Sequence, residues 1–293
     1  MSVSNPRRVN PEQIKKAEAF RAMHSGEGAL LLPNVWDVAS ARIIEEAGFP
    51  AIATTSAGIA FARGFPDGQK IHRFQMFGNI MLIAGAVKVP VTADVEAGYG
   101  DKPEHAADTA GSVILQGAVG LNLEDATGDA ERPLVDLPLQ LEKIRAIRER
   151  AEKWGVPLVL NARTDVYLLQ VGDPARRYDE SLRRMQAFRD AGADCVFVPG
   201  IRDAPTIGRF VADLRCPVNI LAVPGSPSVS ELAALGVKRI SLGSGPMRAA
   251  LGLLRRLAQE LRLQGTYTTM EGAPSHAEVN ALMSSIPKRK PQN

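Results

Sequence analysis

Cysteine is nearly absent from this chain. The two that occur, Cys195 and Cys216, cannot build a disulfide framework and have no metal-ligand spacing, and each sits in an apolar run where it reads as a small core residue. Charge of one sign is not in excess either: 35 basic against 32 acidic side chains leave a formal +3. That balance asks for neither a nucleic acid nor a membrane as partner. The one basic cluster, "PKRKPQN" at the C-terminus, reads as a solvated tail. No apolar stretch reaches the length of a membrane span, and "MSVSNPRRVNPEQIKK" has no signal-peptide core, so a cytoplasmic location is expected. Phosphate-binding glycine loops of the G-x-G-x-x-G or Walker type are missing. Histidine is scarce: His24, His72, His105 and His276 fall in predicted helices, at a helix start or in the tail, where surface or helix-end roles are expected.

What is present is a rhythm. Of 293 residues, 45% are hydrophobic and 23% charged, enough to bury a large core. Short β-rich runs recur eight times: "ALLLP" (29 to 33), "PAIATT" (50 to 55), "VPVTAD" (89 to 94), "VGLNLED" (119 to 125), "PLVLNAR" (157 to 163), "DCVFVP" (194 to 199), "PVNILA" (217 to 222) and "VKRISLG" (237 to 243). Segments of helical period separate them, among them "VASARIIEEAG", "PEHAADTAGSVILQG", "DLPLQLEKIRAIRERAEKWG" and "DESLRRMQAFRDAGA". Several end in a glycine placed for a left-handed helix cap. Eight such alternations imply parallel strands and right-handed crossovers, most simply an α/β fold of the (β/α)8 TIM-barrel type. An open doubly wound sheet is the other arrangement, and it would ordinarily carry the missing glycine fingerprint. The expected organisation is one barrel domain with an N-terminal helix over residues 1–265, then a tail over 266–293 with a possible short helix.

In a barrel of this kind the reactive groups stand at the C-terminal ends of the strands. The third run ends in "DVEAGYG", with Asp94 and Glu96 at a spacing that points both to one side. The fourth ends in Glu124 and Asp125, the fifth in Arg163 followed by Asp165, and the second in the small residues "TTSAG". Taken singly, each acid could be a helix cap or half of an ion pair. Together, carboxylates at adjacent strand ends repel unless positive charge lies between them. Arg163 supplies one charge, and a divalent cation bound by oxygen ligands would supply the rest. That donor set favours a hard ion, Mg2+, or Mn2+ in its place.

At these residues the sequence resembles the isocitrate lyase and phosphoenolpyruvate mutase superfamily. The resemblance is carried in order by "ARIIEEAGFPAIATTSAG", "DVEAGYG", "NLEDATG" and "NARTD", and covers about residues 28 to 262. It implies that Asp94 contacts Mg2+ directly or through one water, with Glu96 and Glu124 holding waters of the ion. Arg163 would bind the substrate carboxylate, while Thr55, Ser56 and Ala57 would present hydroxyl and N–H groups to the other end of a 2-oxo acid. Asp67, in "GFPDG", matches a further family aspartate, although a plain Pro-Asp-Gly turn accounts for it equally well. Tyr99, directly after the carboxylates, is a further candidate for proton handling or for packing beneath the loop.

A 2-oxo acid offers a carboxylate and a ketone oxygen to such an ion. Bond cleavage next to the ketone leaves an enolate that the ion stabilises. Retro-aldol cleavage, decarboxylation and hydrolysis share that electron sink, so a carbon–carbon lyase or decarboxylase acting on a 2-oxo or 2-hydroxy acid is expected. The chain departs from the lyase branch after the fourth run. "EDATGDAERPLVDLPLQLEKI" has neither the Lys-[KR]-Cys-Gly-His segment of isocitrate and methylisocitrate lyases nor the Lys-Thr-Asn-type segment of the mutase and hydrolase branch. Two other functions stay open: a non-catalytic 2-oxo-acid-binding protein, and a phosphonate enzyme of the phosphoenolpyruvate mutase or phosphonopyruvate hydrolase type.

The last helical segment, "GPMRAALGLLRRLAQELRLQG", carries an apolar stripe of Met247, Ala250, Leu251, Leu254, Leu257, Ala258 and Leu261, widened by Leu253 and Leu263. One face would close the chain's own barrel and the extra leucines a second contact. The resemblance implies a C-terminal helix exchanged between subunits, hence a homo-oligomer, tetramer preferred over dimer. A short helix from about Ser275 to Ser285 would cover the partner.

Overall fold

The structure, a computed structural model, describes residues 9–285; the basic tail segment and the first eight residues lie outside the described residues. Its strands are β1 (Leu30–Leu32), β2 (Asn34–Val35), β3 (Ile52–Thr54), β4 (Val91–Asp94), β5 (Gly120–Glu124), β6 (Val159–Arg163), β7 (Cys195–Phe197), β8 (Val218–Leu221) and β9 (Arg239–Ser241). All neighbours pair in parallel, in the order β1-β9-β8-β7-β6-β5-β4-β3-β2. β1 and β2 are two halves of one extended stretch. Pro33 interrupts it because a proline has no N–H to give to a ladder. The first half pairs with β9 and the second with β3, so one segment closes the cylinder. Each of the eight expected runs contains a strand; the first holds β1, and β2 lies just beyond its end.

The strands are apolar along most of their length because helices cover the outside and side chains fill the inside. Helices follow at Val38–Glu46, Ser56–Ala62, Arg73–Ala86, Pro103–Leu115, Leu137–Lys153, Arg177–Asp190, Ala204–Leu214, Val229–Ala234 and Gly245–Gln264. Gly117, after the helix Pro103–Leu115, has φ +91°, the left-handed turn that lets the chain reverse into β5. A further helix, Pro11–Met23, begins at the Asn10 cap and closes the N-terminal mouth of the barrel. Its Phe20 is fully buried, with the Arg239 guanidinium 5.9 Å from the ring centre. Gly120 makes room for that plug, since a Cβ there would stand 2.8 Å from the Phe20 ring.

The barrel interior is polar beneath the rim. Asn122 Oδ1 accepts Asn161 Nδ2 at 2.8 Å and Arg239 Nη2 at 3.1 Å, while Asn219 and Ser241 bond each other. Cys195 is buried as expected, and Cys216 is half-buried against the core.

The C-terminal segment departs from expectation. In the helix Gly245–Gln264 only Met247 and Glu260 are buried. The stripe meant to close its own barrel instead faces outward, with Leu251 43%, Leu254 60%, Leu261 49% and Leu263 69% exposed. The physical reason is direction: the helix is anchored near β2 at its start and then leaves the barrel surface. The short helix His276–Ser284 forms as expected but returns to the chain's own helix Val38–Glu46, where Arg42 donates to Ser285 Oγ at 2.5 Å. Among the described residues, no helix is long and apolar enough to cross a membrane.

Candidate active site

The expected acids meet at the C-terminal rim. Asp94 ends β4 and is 9% exposed. Its Oδ2 accepts both the backbone N–H (3.0 Å) and the hydroxyl (2.7 Å) of Ser56, the first residue of the helix that follows β3. Its own N–H donates to Thr54 Oγ1 at 2.9 Å. Oδ1 is buried and has no hydrogen-bond partner.

Glu96 follows in the turn, with φ +52°, and is 2% exposed. It accepts the Gln69 backbone N–H and, at 3.2 Å, the Tyr99 hydroxyl. Burial first, then the Asp94 charge, pushes its carboxyl up to about 7. The Tyr99 phenol is raised well above its ordinary value by burial and by Glu96, so it keeps its proton at neutral pH. Gly98, φ +91°, makes the turn in a conformation that side chains with a Cβ rarely adopt, and a Cβ there would stand 3.1 Å from Leu123 Cδ1.

Glu124 and Arg163 end neighbouring strands in direct register, one layer above Asn122 and Asn161. Arg163 Nη1 pairs with Glu124 Oε2 at 2.8 Å, and its Nε and Nη2 fork onto Asp165 at 2.6 and 3.0 Å. Its Cζ lies 5.6 Å from the Phe197 ring centre. Burial holds the Glu124 carboxyl well above the usual range against the pull of Arg163. Asp125 is turned away from the rim: it is fully buried, pairs with Arg184 at 3.1 Å and accepts the Asp165 N–H at 2.9 Å.

Asp67 lies on the exposed loop before the helix Arg73–Ala86, near enough to Asp94 that burial and that charge together raise its carboxyl. Thr55 has a structural role as well. Its Oγ1 caps the helix Ser56–Ala62 by accepting the Gly58 N–H at 3.2 Å, and Ser56 spends its hydroxyl on Asp94. Ala57 is buried in the first turn of that helix. His72 is exposed and caps the helix Arg73–Ala86, so it stands outside the acid cluster.

These residues suit a hard divalent ion. Asp67, Asp94, Glu124 and Asp165 lie within electrostatic reach of the Arg163 guanidinium, Glu96 adjoins Asp94 and Asp67, and Asp94 Oδ1 is an oxygen buried without a donor. Among the described residues no three His, Cys, Asp or Glu side chains converge into a ready-made cage. Glu96 and Glu124 are each drawn to other donors, and an oxygen left free only on Asp94 suits an ion that keeps several waters.

A family model described as phosphoenolpyruvate phosphomutase matches residues 20–262. The chain belongs to that family. It is 38% identical over 236 residues to an uncharacterized protein of Mycobacterium tuberculosis (strain ATCC 25618 / H37Rv), covering 80% of this chain and 84% of the relative. A Burkholderia cenocepacia J2315 crystal structure with the provisional description lyase/mutase is 41% identical, covers 94% of this chain and 98% of its own, and superposes with a TM-score of 0.89. The oxaloacetate decarboxylase of Bradyrhizobium diazoefficiens is 27% identical over 273 residues, 89% of this chain and 88% of that one. The phosphoenolpyruvate phosphomutase family is one of enzymes, lyases and mutases, and this chain is a member on both sequence and fold.

Three residues of this family member escaped the sequence reading. Gln69 clasps the Glu96 turn, Lys143 is 1% exposed and donates to Ala97 O at 2.8 Å from beneath that turn, and Arg184 neutralises Asp125. None belongs to a motif. Their roles arise from contacts between distant segments.

Proposed function

We propose that the protein is a Mg2+-dependent enzyme that cleaves a carbon–carbon bond beside the carbonyl of a 2-oxo or 2-hydroxy carboxylic acid, as a lyase or decarboxylase. The observation that carries this reading is the buried, donorless Asp94 Oδ1 beside carboxyls raised by burial and mutual repulsion. Asp94 would hold the ion, with Glu96 and Glu124 holding waters around it. When bound, the ion supplies Lewis-acid stabilisation of the charge that develops on the substrate's 2-oxygen.

The chain's own residues do the rest. Three of the five N–H groups of Arg163 are committed to Glu124 and Asp165, and one on each Nη remains for a substrate carboxylate. Ser56 and Ala57, in the first turn of the helix after β3, would border the same space. Tyr99, protonated and hydrogen-bonded to Glu96, and Asp67, raised by burial and then by the Asp94 charge, would be the groups to give a proton to the enolate carbon. They would take the part that a cysteine plays in the lyase loop, since the loop after β5 is occupied with its own turn: Thr127 N–H donates to Pro133 O at 3.0 Å and Val135 N–H to Asp125 O at 2.7 Å. The relative named as an oxaloacetate decarboxylase favours a 2-oxo acid of this kind.

The outward leucines of Gly245–Gln264 support a homo-oligomer, tetramer in preference to dimer, with this helix as a subunit contact. A panel of oxaloacetate, substituted malates and simple 2-oxo acids, with and without Mg2+, tests the reaction. Mg2+-dependent loss of substrate with a shorter 2-oxo acid or CO2 as product supports the reading. Conversion of phosphoenolpyruvate to a carbon–phosphorus product, seen by phosphorus NMR, would replace it with phosphonate chemistry.

A further inference from the structure

Three acceptor and donor groups from two separate loops lock together at the rim. The Gln69 backbone N–H donates to one oxygen of the Glu96 carboxylate, and the Tyr99 hydroxyl donates to the other at 3.2 Å. The third side of the triangle is Tyr99 N–H to Gln69 Oε1, 2.7 Å. Both oxygens of Glu96 are therefore fixed, and Gln69 acts on them twice: directly through its N–H, and indirectly by holding the backbone that carries the Tyr99 phenol.

The backbone at this junction is unusual. Among the described residues five non-glycine positions have positive φ, and three of them are Gln69 (+58°), Glu96 (+52°) and Tyr99 (+57°). Such conformations cost energy in residues with a Cβ and persist where surrounding bonds hold them. Gln69 is half-buried, whereas its neighbours Asp67, Gly68 and Lys70 are exposed, so this one side chain ties the loop to the barrel. Tyr99 is steadied from its other side by Phe77, edge to face at 5.8 Å between ring centres. Lys143 Nζ holds Ala97 O at 2.8 Å, which anchors the turn from below.

We infer that Gln69 is a positioning residue: its side-chain carbonyl and backbone N–H set the orientation of Glu96 and Tyr99, and its loop carries Asp67 to the Asp94 side of the site. The inference rests on the reading of Asp94 and Glu96 as cation-site carboxylates. A carboxylate free to rotate would hold the waters of an ion less well, and a phenol displaced by an ångström would lose its place beside the substrate.

Two variants separate this role from simple loop stability. Gln69→Met keeps length and backbone cost but removes the acceptor; Gln69→Gly removes the acceptor and also the cost of φ +58°. Mg2+ titration by calorimetry, steady-state turnover of oxaloacetate and melting temperature are measured for each. In both variants the Mg2+ dissociation constant should rise at least about fivefold and kcat fall about tenfold or more, with KM changed less than about threefold. Gln69→Gly should melt within a few degrees of the parent. A Gly variant with parental kcat and Mg2+ affinity would overturn the inference, as would losses that track melting temperature alone. A parent that binds Mg2+ but turns over no substrate would defeat the functional reading, and the titration would still decide the role of Gln69.

Discussion

Ser56 grips one oxygen of Asp94 with two donors, its N–H at 3.0 Å and its hydroxyl at 2.7 Å, and leaves the other oxygen buried and free. The asymmetry sets which lone pairs of the carboxylate can face a cation. Ser56→Ala keeps the N–H bond and loses the hydroxyl. A hydrogen bond to a charged group is worth about 1.5–3 kcal/mol, so Mg2+ affinity should fall by about tenfold or more while the fold persists. Calorimetric titration of the variant checks this, and unchanged affinity would show that the hydroxyl does not orient Asp94.

Arg163 is held by Glu124 and Asp165 before any substrate arrives. Arg163→Lys keeps the charge but cannot make the fork onto Asp165 while also reaching a substrate carboxylate. The Michaelis constant for a monocarboxylate 2-oxo acid should rise by about tenfold or more, with a smaller change in kcat. Parental kinetics would assign Arg163 to the two acids alone.

His24 gives a pH dependence away from the site. It is 3% exposed, its Nδ1 lies 2.8 Å from Phe20 O, and burial followed by the Arg239 charge lowers its pKa to about 4. The unfolded chain therefore binds the extra proton first as pH falls. Stability from this group is fully present above about 6.5, declines below it and is lost by about 4, a loss of roughly 3 kcal/mol at most. His24→Gln should flatten the fall of melting temperature between pH 6.5 and 4.5, and an unaltered profile would remove His24 as its source.

The outward leucines predict assembly. Sedimentation at micromolar concentration should give a mass well above the 31.4 kDa of one chain. Leu254→Glu, at a position 60% exposed in the isolated chain, should shift the particle toward the monomer without loss of melting temperature. A parent that sediments as a monomer would defeat the assembly proposal.

Much of this fold is legible in the sequence because a parallel barrel strand, buried on both faces, has to be written as a short apolar run. Runs such as "VPVTAD" and "PLVLNAR" therefore mark both the strand and, in their last residues, the rim. Asp94, Glu96, Glu124 and Arg163 were readable for that reason. Gln69 and Lys143 were not, since each matters only through a contact to a turn about 30 or 50 residues away in the chain, and nothing local in "PDGQK" or "LEKI" sets them apart. The stripe from Met247 to Leu261 was visible as a stripe, but periodicity does not say whether an apolar face meets its own barrel or another surface. Thr55 was readable as a polar rim group but not as a helix cap, because caps and ligands use the same hydroxyl.

The most direct test of the central claim is a Mg2+ titration of the parent and of Asp94→Ala, paired with oxaloacetate turnover before and after chelation. The account predicts that the parent binds one Mg2+ per chain, loses turnover in chelator and regains it on adding Mg2+, whereas Asp94→Ala melts as a folded protein and shows neither binding nor turnover. Full turnover by the chelated parent, or undiminished Mg2+ binding by Asp94→Ala, would contradict it.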